Sequence, residues 1–377
     1  MSQTARSFVV RGGGAAKTAR QLSETARSLG RAAGGLLFTC GALGERLPEL
    51  ADALSAARLG FPVLLAAGAG VLTERGELEG ESAAAGLLWS GGEAHAATVT
   101  GHGDELCLAV AAHLRERSPV TARTALVFLN PRGIEPPTLD ALRGLERTTL
   151  LGGGTIGDAP VFAIASSGEP TRGTAGILTI SGMAPPLCAA SPACRLLMPL
   201  REITAAQGAL VLAVDGEPTL EVLSAAARGL TNQPLVLVAL AESVGVEGEP
   251  PPLLVRTVQG VDPSRGGILV SDEVKVGMRL AFAVRDAAAA RADLELRTRA
   301  LARECAGAAP RFGIYFNCAS RGSSLYGAAD VDTRVLAARF GQMPWLGLAS
   351  SFEIAPYSQQ PALQLYTGVI GLFTSPS

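Results

Sequence analysis

The sequence predicts an α/β fold of two lobes, each a β-sheet core with helices packed outside, and three observations carry that expectation. Short apolar runs of β-type composition, such as Ile314-Tyr-Phe316, alternate with helical periodicity along most of the 377 residues. One order of elements (strand, helix, strand, hairpin) returns three times, and its openings align as Phe38-Thr-Cys40, Phe128-Leu-Asn130 and Phe316-Asn-Cys318. In every copy the second strand runs into glycine.

The elements follow in chain order. Arg11-Gly-Gly-Gly-Ala-Ala-Lys-Thr18 is similar to a phosphate-binding loop, but Arg11 and Ala16 stand where that loop needs glycine, and no strong strand precedes it. It reads as the start of a helix through Ala19 and Ala26. The first copy has a strand over 35–40, a helix over 47–58 with Leu47, Leu50, Leu54 and Ala57 on one face, a strand over 62–66 and another over 84–89. The second has a strand over 124–130, a short helix over 138–145, a strand over 149–154, and a hairpin from Val161 to Ile180 around Ser167-Gly-Glu-Pro170. Residues 184–194, rich in Pro, Ala and Cys, read as a linker between domains over 1–183 and 195–377. Beyond it come a strand over 208–215, a helix over 219–227, hairpin strands over 253–258 and 267–270, a strand over 276–284 and a long helix over 285–305. The third copy has a strand over 313–318, a helix over 331–340, a strand from Pro344 into Ser350-Ser-Phe-Glu353, and a closing hairpin from Gln364 to Phe373.

Bulk properties narrow the function. The formal net charge is −2, and Lys17 and Lys275 are the only lysines, which argues against nucleic acid or an anionic membrane as partner. No apolar run reaches the ~18 residues of a membrane span. Phe8-Val-Val10 is too short for a signal peptide, and the six cysteines form no C-x-x-C pair, so a reduced, cytoplasmic protein is expected. His95, His102 and His113, at spacings of seven and eleven, fit no zinc pattern, and no cofactor is expected.

Several landmarks resemble one family. They are Asp215-Gly-Glu-Pro218, Val255-Arg-Thr-Val258 with Gly260-Val-Asp262, Arg285-Asp286 opening a long helix, Cys318 with Arg321-Gly322, Leu325-Tyr-Gly327, Glu353-Ile354 with Pro356, and Tyr366-Thr367. In the first half, Gly152-Gly153, Val161-Phe162 and Gly173 to Ile177 add to the pattern. Together they resemble the FIST family, the F-box and intracellular signal transduction domains, with an N-terminal and a C-terminal module. The resemblance implies a small-ligand sensory protein that takes an amino acid or similar metabolite and works alone or beside a signalling protein. Two departures stand out. Ala66-Ala-Gly-Ala-Gly-Val71 lacks the family's Cys and Glu, and Phe352 stands where the family has Gly.

The candidate site lies where the strand over 313–318 ends and the chain turns toward a helix, because backbone amides are left unpaired there. Asn317, Cys318, Arg321, Gly322 and Tyr326 belong to that turn. The planar fork of Arg321 suits a carboxylate or phosphate, or else a salt bridge to Asp330 or Asp332. Glu353 suits an ammonium group, or else a structural ion pair. Arg256, inside a strand-like run, is a further ligand candidate or a solvated face residue. An enzyme reading makes Cys318 the nucleophile of a hydrolase or transferase, but it needs a base, and all three histidines lie in the first half. A third reading is an interaction scaffold that has lost its ligand. Ala287, Ala288, Ala290, Leu294, Leu301 and Ala302 suit the long helix to domain packing or to a homodimer.

Overall fold

The computed structural model describes residues 4–117, 123–231, 234–243, 245, 250–305 and 307–375. The repeated unit is present three times. The first copy comprises β1 (Ala5–Arg11), α1 (Ala15–Leu29), β2 (Gly34–Cys40), α2 (Ala42–Glu45), α3 (Leu47–Ala57), β3 (Val63–Ala67), the hairpin β4 (Gly70–Thr73) with β5 (Gly76–Glu79), and β6 (Ala83–Trp89). The second comprises β7 (Glu93–Val99), α4 (Gly103–Glu116), β8 (Arg123–Leu129), a 3-10 helix (Pro136–Leu142), β9 (Thr148–Gly154), the hairpin β10 (Val161–Ile164) with β11 (Pro170–Gly173), and β12 (Ala175–Ser181). The third opens with β13 (Leu187–Pro192) and is then interrupted by β14 (Cys194–Leu196), β15 (Arg201–Gln207), β16 (Leu210–Val214), β17 (Glu217–Pro218), α5 (Thr219–Ala226), β18 (Val236–Ala241), β19 (Leu254–Asp262), β20 (Gly267–Val270) and β21 (Arg279–Arg285). It resumes with α6 (Ala287–Glu304), β22 (Pro310–Cys318), α7 (Gly322–Tyr326), α8 (Val331–Phe340), β23 (Trp345–Ser350), the hairpin β24 (Glu353–Tyr357) with β25 (Gln360–Gln364), and β26 (Thr367–Thr374).

Local sequence explains the units. β2 and β8 are buried along their whole length, as strands covered on both faces are, and are apolar apart from Thr39, Arg123 and Thr124. Their parallel partners are β3 and β9, and β22 pairs with β23 in the same way. Leu47, Leu50, Ala51 and Leu54 give α3 one apolar face, which it buries, and the helix ends at Arg58 in the left-handed conformation.

Each unit passes its hairpin to a neighbour. β4 pairs with β23, β10 with β3, and β24 with β9. The result is three six-stranded sheets of the same order, β1-β6-β2-β3-β10-β11, β7-β12-β8-β9-β24-β25 and β13-β26-β22-β23-β4-β5. The exchange is cyclic, so the three units close into a ring and the two halves of the sequence share its sheets. Backbone bonds lock the joints: Ala69 N donates to Ala349 O at 2.9 Å, Ile156 N to Ala67 O at 3.3 Å, and Ser351 N to Gly154 O at 3.0 Å. At the centre meet the three aligned phenylalanines. Phe38–Phe128, Phe38–Phe316 and Phe128–Phe316 pack edge to face with centroids 5.1, 6.1 and 5.4 Å apart. Each such pair adds about 1 kcal/mol beyond the burial of its area.

The interruption in the third unit is a barrel. β21, β15, β16, β20, β19 and β18 pair in succession, and β18 closes back on β21. Closure leaves no free edge among these strands. Ile203, Val211, Val238, Ile268, Leu280 and Phe282 form part of its core.

Some expectations are corrected here. Residues 187–192 are not a linker but the edge strand β13 on β26, from Leu187↔Leu372 to Pro192↔Thr367. An edge strand tolerates the proline that made the stretch look irregular. A strand, β1, does precede the glycine-rich 11–18 stretch, paired along β6. The hairpin expected from Val161 to Ile180 divides, since β10–β11 leaves for β3 while β12 runs between β7 and β8. The one expected from Gln364 to Phe373 divides likewise into β25, on β24, and β26, between β13 and β22. Among the described residues, no helix is long and apolar enough to cross a membrane.

Candidate functional site

The turn after β22 brings the predicted residues together and packs them shut. Arg321 is fully buried. Its Nε donates to Asp332 Oδ2 at 2.7 Å, Nη1 to Ser191 O at 2.8 Å and Nη2 to Ala290 O at 3.2 Å. Tyr315 and Tyr326 donate their hydroxyls to the same Asp332 carboxylate at 2.8 and 2.7 Å, and the guanidinium lies 5.9 Å from the Tyr326 ring centroid. The fork that was expected to clamp a ligand is spent on the protein: Arg321 ties β13, α6 and α8 together. This is the salt bridge to Asp332 that the sequence also allowed.

The neighbours of Arg321 are as enclosed. Glu353 is fully buried, and burial holds its carboxyl well above the usual carboxylate range, against the bond from Ser350 Oγ to Oε1 at 3.0 Å. Among the described residues Arg321 pairs with Asp332 and not with Glu353. Cys318 is buried beside Ser320 Oγ at 3.1 Å, and burial, followed by the nearby Glu353 carboxyl, pushes the thiol up. Asn317 borders a void of about 10 Å³, too small for a metabolite. Gly322 is required by a protein contact, because a Cβ there would meet Glu79 Oε1 at 1.5 Å. That carboxylate accepts from Ser323 N at 3.1 Å.

The two family departures are filled as well. A Cβ on Gly68 would meet Leu348 Cδ1 at 2.4 Å and Ala349 O at 2.6 Å, so this turn is closed by the exchange joint. The Phe352 ring lies over Gly154, where a Cβ would come within 2.6 Å of it.

Arg256 stands apart from this cluster, in a cleft of about 460 Å³ between the barrel and the ring. One wall is β18, β19 and the 272–278 loop; the other is the 3-10 helix and the β24–β25 hairpin. Arg256 is 1% exposed. Its Nε donates to Asp272 Oδ2 at 2.7 Å, and Nη1 to Val255 O at 2.9 Å and Leu363 O at 3.1 Å. Nη2 has no hydrogen-bond partner among the described residues. Burial opposes the charge of this guanidinium, and the Asp272 carboxylate sustains it. Tyr357 Oη accepts from Glu242 N at 3.1 Å in the same cleft, and Asp140, Arg143, Glu273, Lys275 and Gln360 are among its other polar lining residues. A guanidinium with an unused edge, flanked by carboxylates, suits a small ligand carrying both a carboxylate and an ammonium. Sequence reading named Arg256 but missed Asp272, Tyr357 and Glu242. The one local signal was a charged residue inside an otherwise apolar strand.

The FIST N domain matches residues 35–217 and the FIST C domain residues 219–356, so their junction falls inside the barrel. An uncharacterized protein of Mycobacterium tuberculosis strain H37Rv, Rv0628c, is 31% identical over 193 residues, 48% of this chain and 49% of the relative. Uncharacterized protein Mb0898c of Mycobacterium bovis is 31% identical over 181 residues, 45% of this chain and 46% of the relative. The chain spans about half the length of the curated relatives it matches. With one module following the other from residue 35 to residue 356, across ring and barrel alike, the chain belongs to the FIST family.

Proposed function

We propose that this chain is a non-catalytic sensory module that holds an amino acid or a similar small zwitterion in the cleft at Arg256. FIST domains are associated with sensory and signal-transduction proteins. The observation that carries the reading is the Arg256 guanidinium, buried at the wall of a cleft of about 460 Å³ with Nη2 unpartnered among the described residues. A ligand carboxylate would take Nη2, and its ammonium would lie toward Asp272 or Glu242. Because barrel and ring form opposite walls, a ligand that touches both favours one relative position of the two, and that shift is the signal a partner protein would read.

Two features argue against turnover at Cys318. Its thiol is buried and raised, so little thiolate forms, and among the described residues its side-chain hydrogen-bond neighbour is the Ser320 hydroxyl rather than a base.

The test is thermal shift followed by calorimetry with the proteinogenic amino acids, on wild type and Arg256→Met. A true ligand raises Tm by mass action, and the variant should bind it at least about tenfold more weakly. The proposal fails if no amino acid shifts the wild type at millimolar concentration, or if Arg256→Met binds a hit equally well.

A further inference from the structure

A groove of about 350 Å³ lies between α6 and α8, and each helix gives it one stripe at helical spacing. Arg291, Glu295 and Arg299 come from α6, and Arg334 and Arg339 from α8. Four guanidiniums against one carboxylate leave an excess of three positive charges, on a chain whose formal net charge is −2. Between the arginines the lining is neutral: Thr298 and Val335 are buried, and Thr298 Oγ1 already donates to Leu294 O at 2.9 Å.

The fold does not use up this charge. Arg291 Nε donates to Glu295 Oε1 at 3.1 Å, and Arg334 Nη2 donates to Ala329 O at 2.8 Å, which neutralises nothing. Arg299 and Arg339 are exposed and have no hydrogen bond or ion pair among the described residues. An incoming anion can therefore meet these side chains without opening the fold. Like charges held in one groove repel, and an anion between them relieves that repulsion. A second copy docked through the same groove would set four arginines against four, so this face of α6 does not suit a two-fold homodimer.

Size narrows the class of anion. From Arg291 to Arg299 the stripe advances eight residues, about 12 Å along the axis at about 1.5 Å per residue, too far for one phosphate or carboxylate to bridge. The volume is that of a small-molecule cleft. The planar fork of arginine takes phosphate oxygens two at a time. We propose that the α6–α8 groove binds an oligophosphate chain, free or as the di- or triphosphate of a nucleoside, through Arg299, Arg334 and Arg339. It shares no residue with the Arg256 cleft.

The experiment is calorimetric titration of the full chain, at low salt and without divalent cations, with tripolyphosphate, ATP and citrate. Tripolyphosphate should bind saturably, and citrate, with three carboxylates on a shorter frame, at least about tenfold more weakly. Arg299→Ala and Arg339→Ala should each weaken tripolyphosphate about fivefold or more, with Tm unchanged because neither side chain has a partner to lose. Glu295→Gln removes the competing carboxylate and frees Arg291, so it should tighten binding about threefold. Arg256→Met should bind tripolyphosphate as wild type does. ATP binding more tightly than tripolyphosphate identifies a nucleotide as the source of the phosphates, and equal or weaker binding identifies the free chain; both support the site. The proposal is overturned if tripolyphosphate does not bind, if citrate binds as tightly, if the Arg299 and Arg339 variants bind as wild type does, if Glu295→Gln weakens binding, or if Arg256→Met abolishes it.

Discussion

Arg256 and Arg321 are both buried to within 1% of full enclosure, yet they differ in what surrounds them. Arg321 has protein acceptors for every nitrogen and a carboxylate as buried as itself. Arg256 leans on Asp272, which keeps 20% of its side chain in solvent, and leaves Nη2 unused. One is an internal tie, the other a charge waiting at a cleft. A half-buried ionisable group, Glu77, makes the packing around Arg321 measurable. Burial, with the Asp332 carboxylate close by, pushes Glu77 up to about 7, against bonds from Thr333 N and Oγ1 at 3.1 and 3.0 Å. The folded chain therefore holds this proton more tightly than the unfolded chain, whose carboxyl titrates at its ordinary value near 4.5. Folding takes up a proton between those two values, so stability falls as pH rises through that window and the penalty is complete above it. The shift corresponds to about 3 kcal/mol. Glu77→Gln keeps the acceptor for Thr333 and loses the titration. Urea unfolding at about pH 5 and about pH 8 should show a smaller loss in the variant than in wild type. Glu353 contributes a slope of the same sign in both chains, so the difference between them isolates Glu77. Equal losses in the two chains would refute the assignment.

At the level of elements, the parallel strand pair inside a unit depends on glycine where backbones touch. Gly152 in β9 has φ +151°, and a Cβ there would lie 1.8 Å from Val127 O on the paired strand β8. Gly157 also has positive φ, at +59°, but open space around it. Gly152→Ala should cost about 3 kcal/mol or more, or prevent folding, because the neighbour it strikes is backbone that cannot turn away. Gly157→Ala should cost about 1 kcal/mol from backbone strain alone. Soluble yield and urea midpoints compare the two, and equal costs would mean that the β8–β9 joint yields. Such joints also explain what the sequence could and could not reveal. The strands β2, β8 and β22 were legible because each holds a continuous apolar run, 34–38, 125–129 and 312–316, as buried strands do, and the aligned phenylalanines marked what became the centre of the ring. The exchange was not legible. Period-two patterning fixes which face of β4, β10 or β24 is buried but not which sheet edge it joins. β13 is half-buried over most of its length, so it carried no strand signature. α4 did carry a helical signature, with Leu106, Cys107, Val110, Ala111 and Leu114 at helical spacing, yet the sequence reading assigned no element to it. At the candidate site the spacing of eleven between Arg321 and Asp332 was readable as an ion pair. The partners of Arg256 come from the loop after β20 and from β25, 16 and 107 residues away, where no local pattern points to them.

For the whole molecule, the question is whether ring and barrel are one cooperative unit or two. The barrel enters and leaves at adjacent points, because Cys194 pairs with Arg285 as the chain crosses from β13 and returns toward α6. Its strands close on themselves, and its core is formed largely from its own residues, with Tyr357 of the ring packed against it. An insertion whose ends meet and whose edges are satisfied can be removed without breaking the sheets around it. Replacing residues 195–284 by a short Gly/Ser linker should therefore leave the ring folded, with a single cooperative thermal transition and its strand content intact by circular dichroism. The ring sheets lose none of their own pairings in that deletion, whereas the cleft loses Arg256, Asp272 and one entire wall. The shortened chain should bind none of the amino acids that the intact protein binds. Deletion that unfolds the ring would instead mean that bonds across the cleft, such as Arg256 Nη1 to Leu363 O and Glu242 N to Tyr357 Oη, hold the ring together as well as the ligand wall. The same contacts would then be too strong for the barrel to shift on ligand binding, and signalling would have to run through the hairpin β24–β25, which touches both the cleft and the β9 joint of the ring.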